Sequence, residues 1–84
     1  NIKNEFLSKD PFKTKYNNIR ILLNSFSERE YEFLFRYLFD NIEEITDDIP
    51  TAIILISKYQ YEYNFVIDKE INVMALIIEL LKLK

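Results

Sequence analysis

A helix start at Ser27 constrains this chain more than any other feature. In FSEREYEFLFRYLFDNI, residues 26–42, Ser27 is followed three positions later by Glu30. That is the spacing of a capping box: the serine hydroxyl accepts from the amide of residue 30, and the glutamate reaches back to the amide of residue 27. Phe26 and Tyr31 occupy the two hydrophobic-staple positions around the box, so the start is signalled twice. At ~100° per residue, Tyr31, Leu34, Phe35, Leu38 and Ile42 share one arc. Phe33 and Tyr37 lie one turn apart on nearly the opposite side. Only a narrow strip of Arg29, Glu32, Arg36, Asp40 and Glu43 is charged, with Glu32, Arg36 and Asp40 spaced as a solvated ladder. A helix with so much apolar circumference needs cover from other elements.

Those other elements also read as helices. Residues 1–8 form a short one with Ile2, Phe6 and Leu7 on one side, ended by Asp10-Pro11, because the residue before proline is pushed out of the α region. Asp10 or Thr14 is the expected cap of the next, whose stripe is Tyr16, Ile19, Leu22, Leu23 and Phe26. The acidic stretch 43–48 reads as a linker, its Asp47 and Asp48 placed before Pro50 to favour the start of a following helix. That helix carries Ala52, Leu55, Ile56, Tyr59 and Tyr63 on one face. Residues 59–67 also alternate aromatic and polar positions like a half-buried strand; helix is preferred, because no partner strand is visible. Asp68 is the expected N-cap of a last helix that is nearly apolar all round, with Ile71, Met74, Ala75, Ile78 and Leu81 on one face and Asn72, Glu79 and Lys82 on one narrow polar side. The expected fold is a single all-α domain spanning 1–84, a small orthogonal or up-down bundle of four to five helices.

Composition closes off most chemistry. The chain has no histidine, cysteine or glycine. The commonest general base, the commonest transition-metal ligands and every phosphate-cradling glycine loop are therefore absent. Ser8, Ser25, Ser27 and Ser57 stand in no nucleophile motif, and the acids of 40–48 lack the spacing and turn glycine of a calcium loop. No catalytic residue, metal site, cofactor or small-molecule substrate is expected, and the chain reads as non-enzymatic. No apolar run approaches the ~18 residues of a membrane span, so a soluble, cytoplasmic protein is the expectation. Ile, Asn, Lys, Tyr and Phe fill half the positions, the mark of AT-rich coding sequence in a bacterium, phage, virus or protist. The first residue is Asn rather than Met, which suggests a processed, trimmed or excised chain.

What remains is surface. The net charge is −3, with Lys3, Lys9, Lys13, Lys15 and Arg20 against Glu5 and Asp10 in the first twenty residues. A helix-turn-helix reading of residues 49–83 is weak on charge, because the last helix offers only Asn72, Glu79 and Lys82 to a groove. A domain of this size buries only ~60–65% of its unfolded surface, so two nearly all-apolar helices leave an excess that marks an interface. The expected partner-binding residues are Phe33 and Tyr37 on the central helix and Ile77, Leu80 and Leu83 on the last. The expected function is protein contact, with a second copy (a homodimer) or with a partner, as in a phage- or virus-type modulator of a host protein. The alternative is a small helical nucleic-acid-binding regulator of transcription or replication using Lys9, Lys13, Lys15 and Arg20.

Overall fold

The computed structural model describes residues 2–83, which form six helices and no strand: α1 (Ile2–Leu7), α2 (Phe12–Asn24), α3 (Glu28–Asp40), α4 (Ile42–Ile45), α5 (Ile49–Tyr63) and α6 (Lys69–Lys82). Both halves of the capping box form. Glu30 N donates to Ser27 Oγ at 3.3 Å, and Ser27 N donates to Glu30 Oε1 at 3.0 Å. The Phe26 and Tyr31 rings meet with centroids 5.7 Å apart, closing the staple. Ser27→Ala removes one of those bonds and should cost about 1 kcal/mol in a urea melt. A melt that does not move would mean the staple alone fixes the start of α3.

No described residue has positive φ, so the chain turns without the left-handed backbone that glycine relieves. It does so with side chains. Asn41 Nδ2 donates to the Tyr37 carbonyl at 2.8 Å and ends α3 at Asp40. The central helix is therefore shorter than its pattern, and Ile42 opens α4 instead. The acidic linker contains that one-turn helix because Ile42 and Ile45, three residues apart, both reach the core. Buried Thr46 then donates from Oγ1 to the Leu83 carbonyl at 3.2 Å and accepts from Asp48 N, tying the α4–α5 turn to the end of α6. At α2 neither Asp10 nor Thr14 is the cap. Pro11 holds that position with φ −57°, and its carbonyl accepts from Thr14 N and Lys15 N. Asp48 caps α5 through Thr51 N, and Asp68 caps α6 through Ile71 N at 3.2 Å.

Residues 59–63 are helical, and α5 buries Ala52, Ile56 and Tyr63 with Leu55 and Tyr59 half-buried beside them. Past Tyr63 the chain turns, with the Lys69 ammonium donating to the Tyr63 and Val66 carbonyls and lying 4.6 Å from the Tyr63 ring centroid. The largest difference from the sequence pattern is in α6. Its buried face is Val73, Leu76, Ile77 and Leu80, whereas Ile71 is exposed and Met74, Ala75 and Ile78 are half-buried. Ile77 and Leu80 are thus core residues and Leu83 is half-buried, so these three do not make an open binding face. The reason is that α6 packs most extensively on α5 and also touches α3 and α2, which gives a helix apolar on most sides cover on most sides. Part of its polar side is covered too: Asn72 is buried and half-buried Glu79 accepts at Oε2 from the Tyr59 hydroxyl at 3.1 Å, while Lys82 is exposed.

Tyrosine hydroxyls lock the helices together. Tyr31 donates to the Leu23 carbonyl at 2.8 Å and Tyr63 to the Glu28 carbonyl at 3.2 Å, while Tyr63 meets Phe35 edge-on at 5.4 Å. Desolvation raises the pKa of Tyr31, Tyr59 and Tyr63, helped at Tyr59 by the bond to Glu79. A raised folded-state pKa contributes stability that is complete below the unfolded value of ~10 and is lost as pH climbs through the folded one. Helicity should therefore hold to about pH 10 and fall above it, in step with tyrosinate absorbance. Ionisation of all six tyrosines with no loss of helix would show that the hydroxyls are not structural.

Candidate functional site

The staple sets the angle between the end of α2 and the start of α3, and an apolar groove lies in that angle. Its walls are Leu22 and Phe26 from the α2 side, Leu34, Phe33 and Tyr37 from α3, and Ile2 from α1. Its volume is about 350 Å³. This is within the range of pockets that enclose a small ligand or an anchoring side chain. Phe33 is 59% exposed, and Tyr37, Leu22 and Phe26 are half-buried. The charged lining group is Glu30, whose carboxylate is already held by the Ser27 amide. The Arg29 guanidinium lies over the Phe33 ring, 5.4 Å from its centroid, and stiffens the outer wall. Outside the groove Lys3 pairs with Glu44 at 2.9 Å between α1 and α4, which raises the lysine's pKa. Such a lining can desolvate an apolar guest and orient an aromatic ring. It contains no nucleophile and no pair of acids to exchange a proton.

Phe33 and Tyr37 therefore stand together on this groove, separate from Ile77 and Leu80 in the core. Ile2, Leu22, Phe26 and Leu34 complete it. Leu22 and Phe26, members of the α2 stripe, are half-buried against the core, and their exposure follows from the splay of the α2–α3 corner, which no stripe encodes. The charged strip forms in part, with Arg36 paired to Asp40 at 3.1 Å and lying 5.3 Å from the Phe39 ring centroid. Beyond it, a second depression runs between α3 and α5.

The four basic candidates are spread out. Lys9 is in the α1–α2 turn, and Lys13 and Arg20 lie two turns apart along one side of α2. Lys15, two residues on from Lys13, is turned ~160° away from it. Arg20 donates to the Tyr16 hydroxyl at 3.1 Å and sits 4.0 Å from Glu70 of α6, which offsets its charge. Among the described residues no three carboxylates gather where they could hold a metal ion. No described helix is long and apolar enough to cross a membrane. Comparison with protein-family models, curated proteins and solved structures gives no match.

Proposed function

We propose that this domain works by protein contact, accepting one apolar face of a partner's amphipathic helix in the groove between α2 and α3. The observation that carries the reading is the exposed Phe33 ring, held by Arg29 at the lip of a groove lined by Ile2, Leu22, Phe26, Leu34 and Tyr37 with Glu30 as its one charged group. A helix-in-groove contact uses anchors at i, i+3 or i+4 and i+7, and aromatic residues in a desolvated pocket commonly supply most of the affinity. The longer helices α2, α3, α5 and α6 act as a small bundle that holds the groove open, and α1 closes one end. Catalysis has no part in this reading, and neither does a cofactor. Nucleic-acid binding is disfavoured by the scattered cations and the acidic net charge.

The test is selection from a displayed library of amphipathic helical peptides on the wild-type domain, with counter-selection on Phe33→Ala. The expected outcome is a set of peptides sharing an apolar i, i+4, i+7 pattern, whose binding barely changes between low and high salt. Peptides enriched for basic residues and lost at high salt would favour an electrostatic surface and overturn the groove reading. So would selection that is indifferent to Phe33.

A further inference from the structure

We propose that α5 is a dimerisation helix, pairing antiparallel with α5 of a second copy of this chain across a two-fold axis near Ser57 and Lys58. The face concerned is separate from the α2–α3 groove, and the proposal does not depend on that groove having a partner.

The first observation is that α5, although it packs on α6, α3 and α4 along its inner side, leaves an apolar outward face uncovered. Of fifteen residues only Ala52, Ile56 and Tyr63 are buried, and only Lys58 and Glu62 are charged. The outward stripe runs Pro50, Ile54, Ser57/Lys58, Tyr61, with Phe65 just past the helix end, and all are exposed. Ile54 is 67%, Tyr61 69% and Phe65 71% exposed, and the Tyr61 and Phe65 rings pack on each other with centroids 5.2 Å apart. The stripe is flanked by Ile53 and by Phe39 of α3, along a shallow depression in which Phe35, Ser57 and Gln60 join the two halves.

The second observation is size. An aromatic side chain offers ~150–250 Å², so the exposed fractions of Phe39, Ile53, Ile54, Tyr61 and Phe65 leave on the order of 500 Å² of apolar surface on this face. A standard interface takes ~800 Å² from each partner, which the intervening Ser57, Gln60, Asn64 and Arg36 can complete. The chain exposes 5506 Å² in all, so one such face is a modest share of it.

The third observation is that the stripe is complementary to itself. With two α5 helices antiparallel about a point between residues 57 and 58, Ile54 lies opposite Tyr61 of the second copy, and Pro50 lies opposite Phe65. Large residues then stand at both ends, and the small Ser57 at the centre allows the helices to approach. The Lys58 ammonium is drawn over its own Tyr59 ring, 5.6 Å from the centroid, so its charge is turned aside from the axis. A two-fold pairing uses one patch twice and closes, so it yields a dimer without going on to a filament. Glu32 and Arg36 of the α3 strip line the edge of this face. Phe33 and Tyr37 line the separate α2–α3 groove, which leaves one open groove on each subunit.

Sedimentation equilibrium on the full chain over a concentration series, at low and high salt, tests the proposal. The expected result is a mass that doubles with concentration and is insensitive to salt. Ile54→Glu with Tyr61→Glu should hold the chain monomeric with an unchanged helical spectrum, while Ile71→Glu on α6 should leave the dimer intact. Because the chain has no cysteine, Ser57→Cys provides an independent readout: mild oxidation should yield a covalent dimer, whereas Leu7→Cys should not. A monomer at every concentration overturns the proposal. A dimer that survives the double glutamate variant, or one that Ser57→Cys fails to cross-link, overturns it equally.

Discussion

Replacing Leu80 by alanine should remove at least about a fifth of the molecule's stability. Leu80 is fully buried on α6 and belongs to the core cluster that also holds Leu76, Ile77 and Val73. Leucine-to-alanine changes at such positions cost ~2.7–5 kcal/mol, rising with the cavity left behind. A domain of this length stands on only about 4–12 kcal/mol in total. In urea the midpoint should fall sharply with little change in slope. Leu83→Ala, at a half-buried position, should cost much less. The contrast is informative because both residues belong to the same apolar run, Leu80 within α6 and Leu83 at its C-cap, and a helical pattern cannot rank them. A loss of less than about 1 kcal/mol for Leu80→Ala would return Leu80 to the surface and remove α6 from the core.

The paired change Phe33→Ala with Tyr37→Ala should do the reverse, leaving the fold and abolishing recognition. Phe33 is mostly exposed and Tyr37 is half-buried, so truncation opens no closed cavity. Stability should fall by about 1 kcal/mol, within the range of ordinary surface substitutions and partial burial. Binding of the selected helical peptides should weaken by roughly 30- to 1000-fold, the equivalent of ~2–4 kcal/mol lost at an aromatic hot spot. Isothermal titration of one peptide into both proteins, with circular dichroism alongside, checks the two halves together. Collapse of the helical signal would place both rings in the core. Retention of tight binding would put the contact elsewhere.

Local chemistry was the most legible part of this chain. The capping box at Ser27, the caps Asp48 and Asp68, and the stop at Asp10-Pro11 are decided by a few adjacent residues, and each helix begins or ends close to them. The inner face of α5 was legible because Ala52, Ile56 and Tyr63 belong to one stripe at helical spacing, whereas α6 is apolar on nearly every side and its orientation depends on what surrounds it. Asn72 illustrates the point: a polar residue expected at the surface is buried, with its Oδ1 without a hydrogen-bond partner among the described residues. The one-turn α4 escaped because two isoleucines three apart carry no periodicity. Half of the groove was visible as the unexplained pair Phe33 and Tyr37. Its other wall depends on the angle between α2 and α3, a tertiary property fixed by the Phe26–Tyr31 contact.

The most direct test of helix docking is to add one selected peptide to isotopically labelled protein and see which backbone amides shift. Shifts should concentrate at Ile2, Leu22, Phe26, Glu30, Phe33, Leu34 and Tyr37, the residues that line the groove. They should be small along the outward stripe of α5 and at Lys9, Lys13 and Arg20. Shifts centred on α5 or on those cations, with the groove silent, would contradict a docking function for the α2–α3 groove.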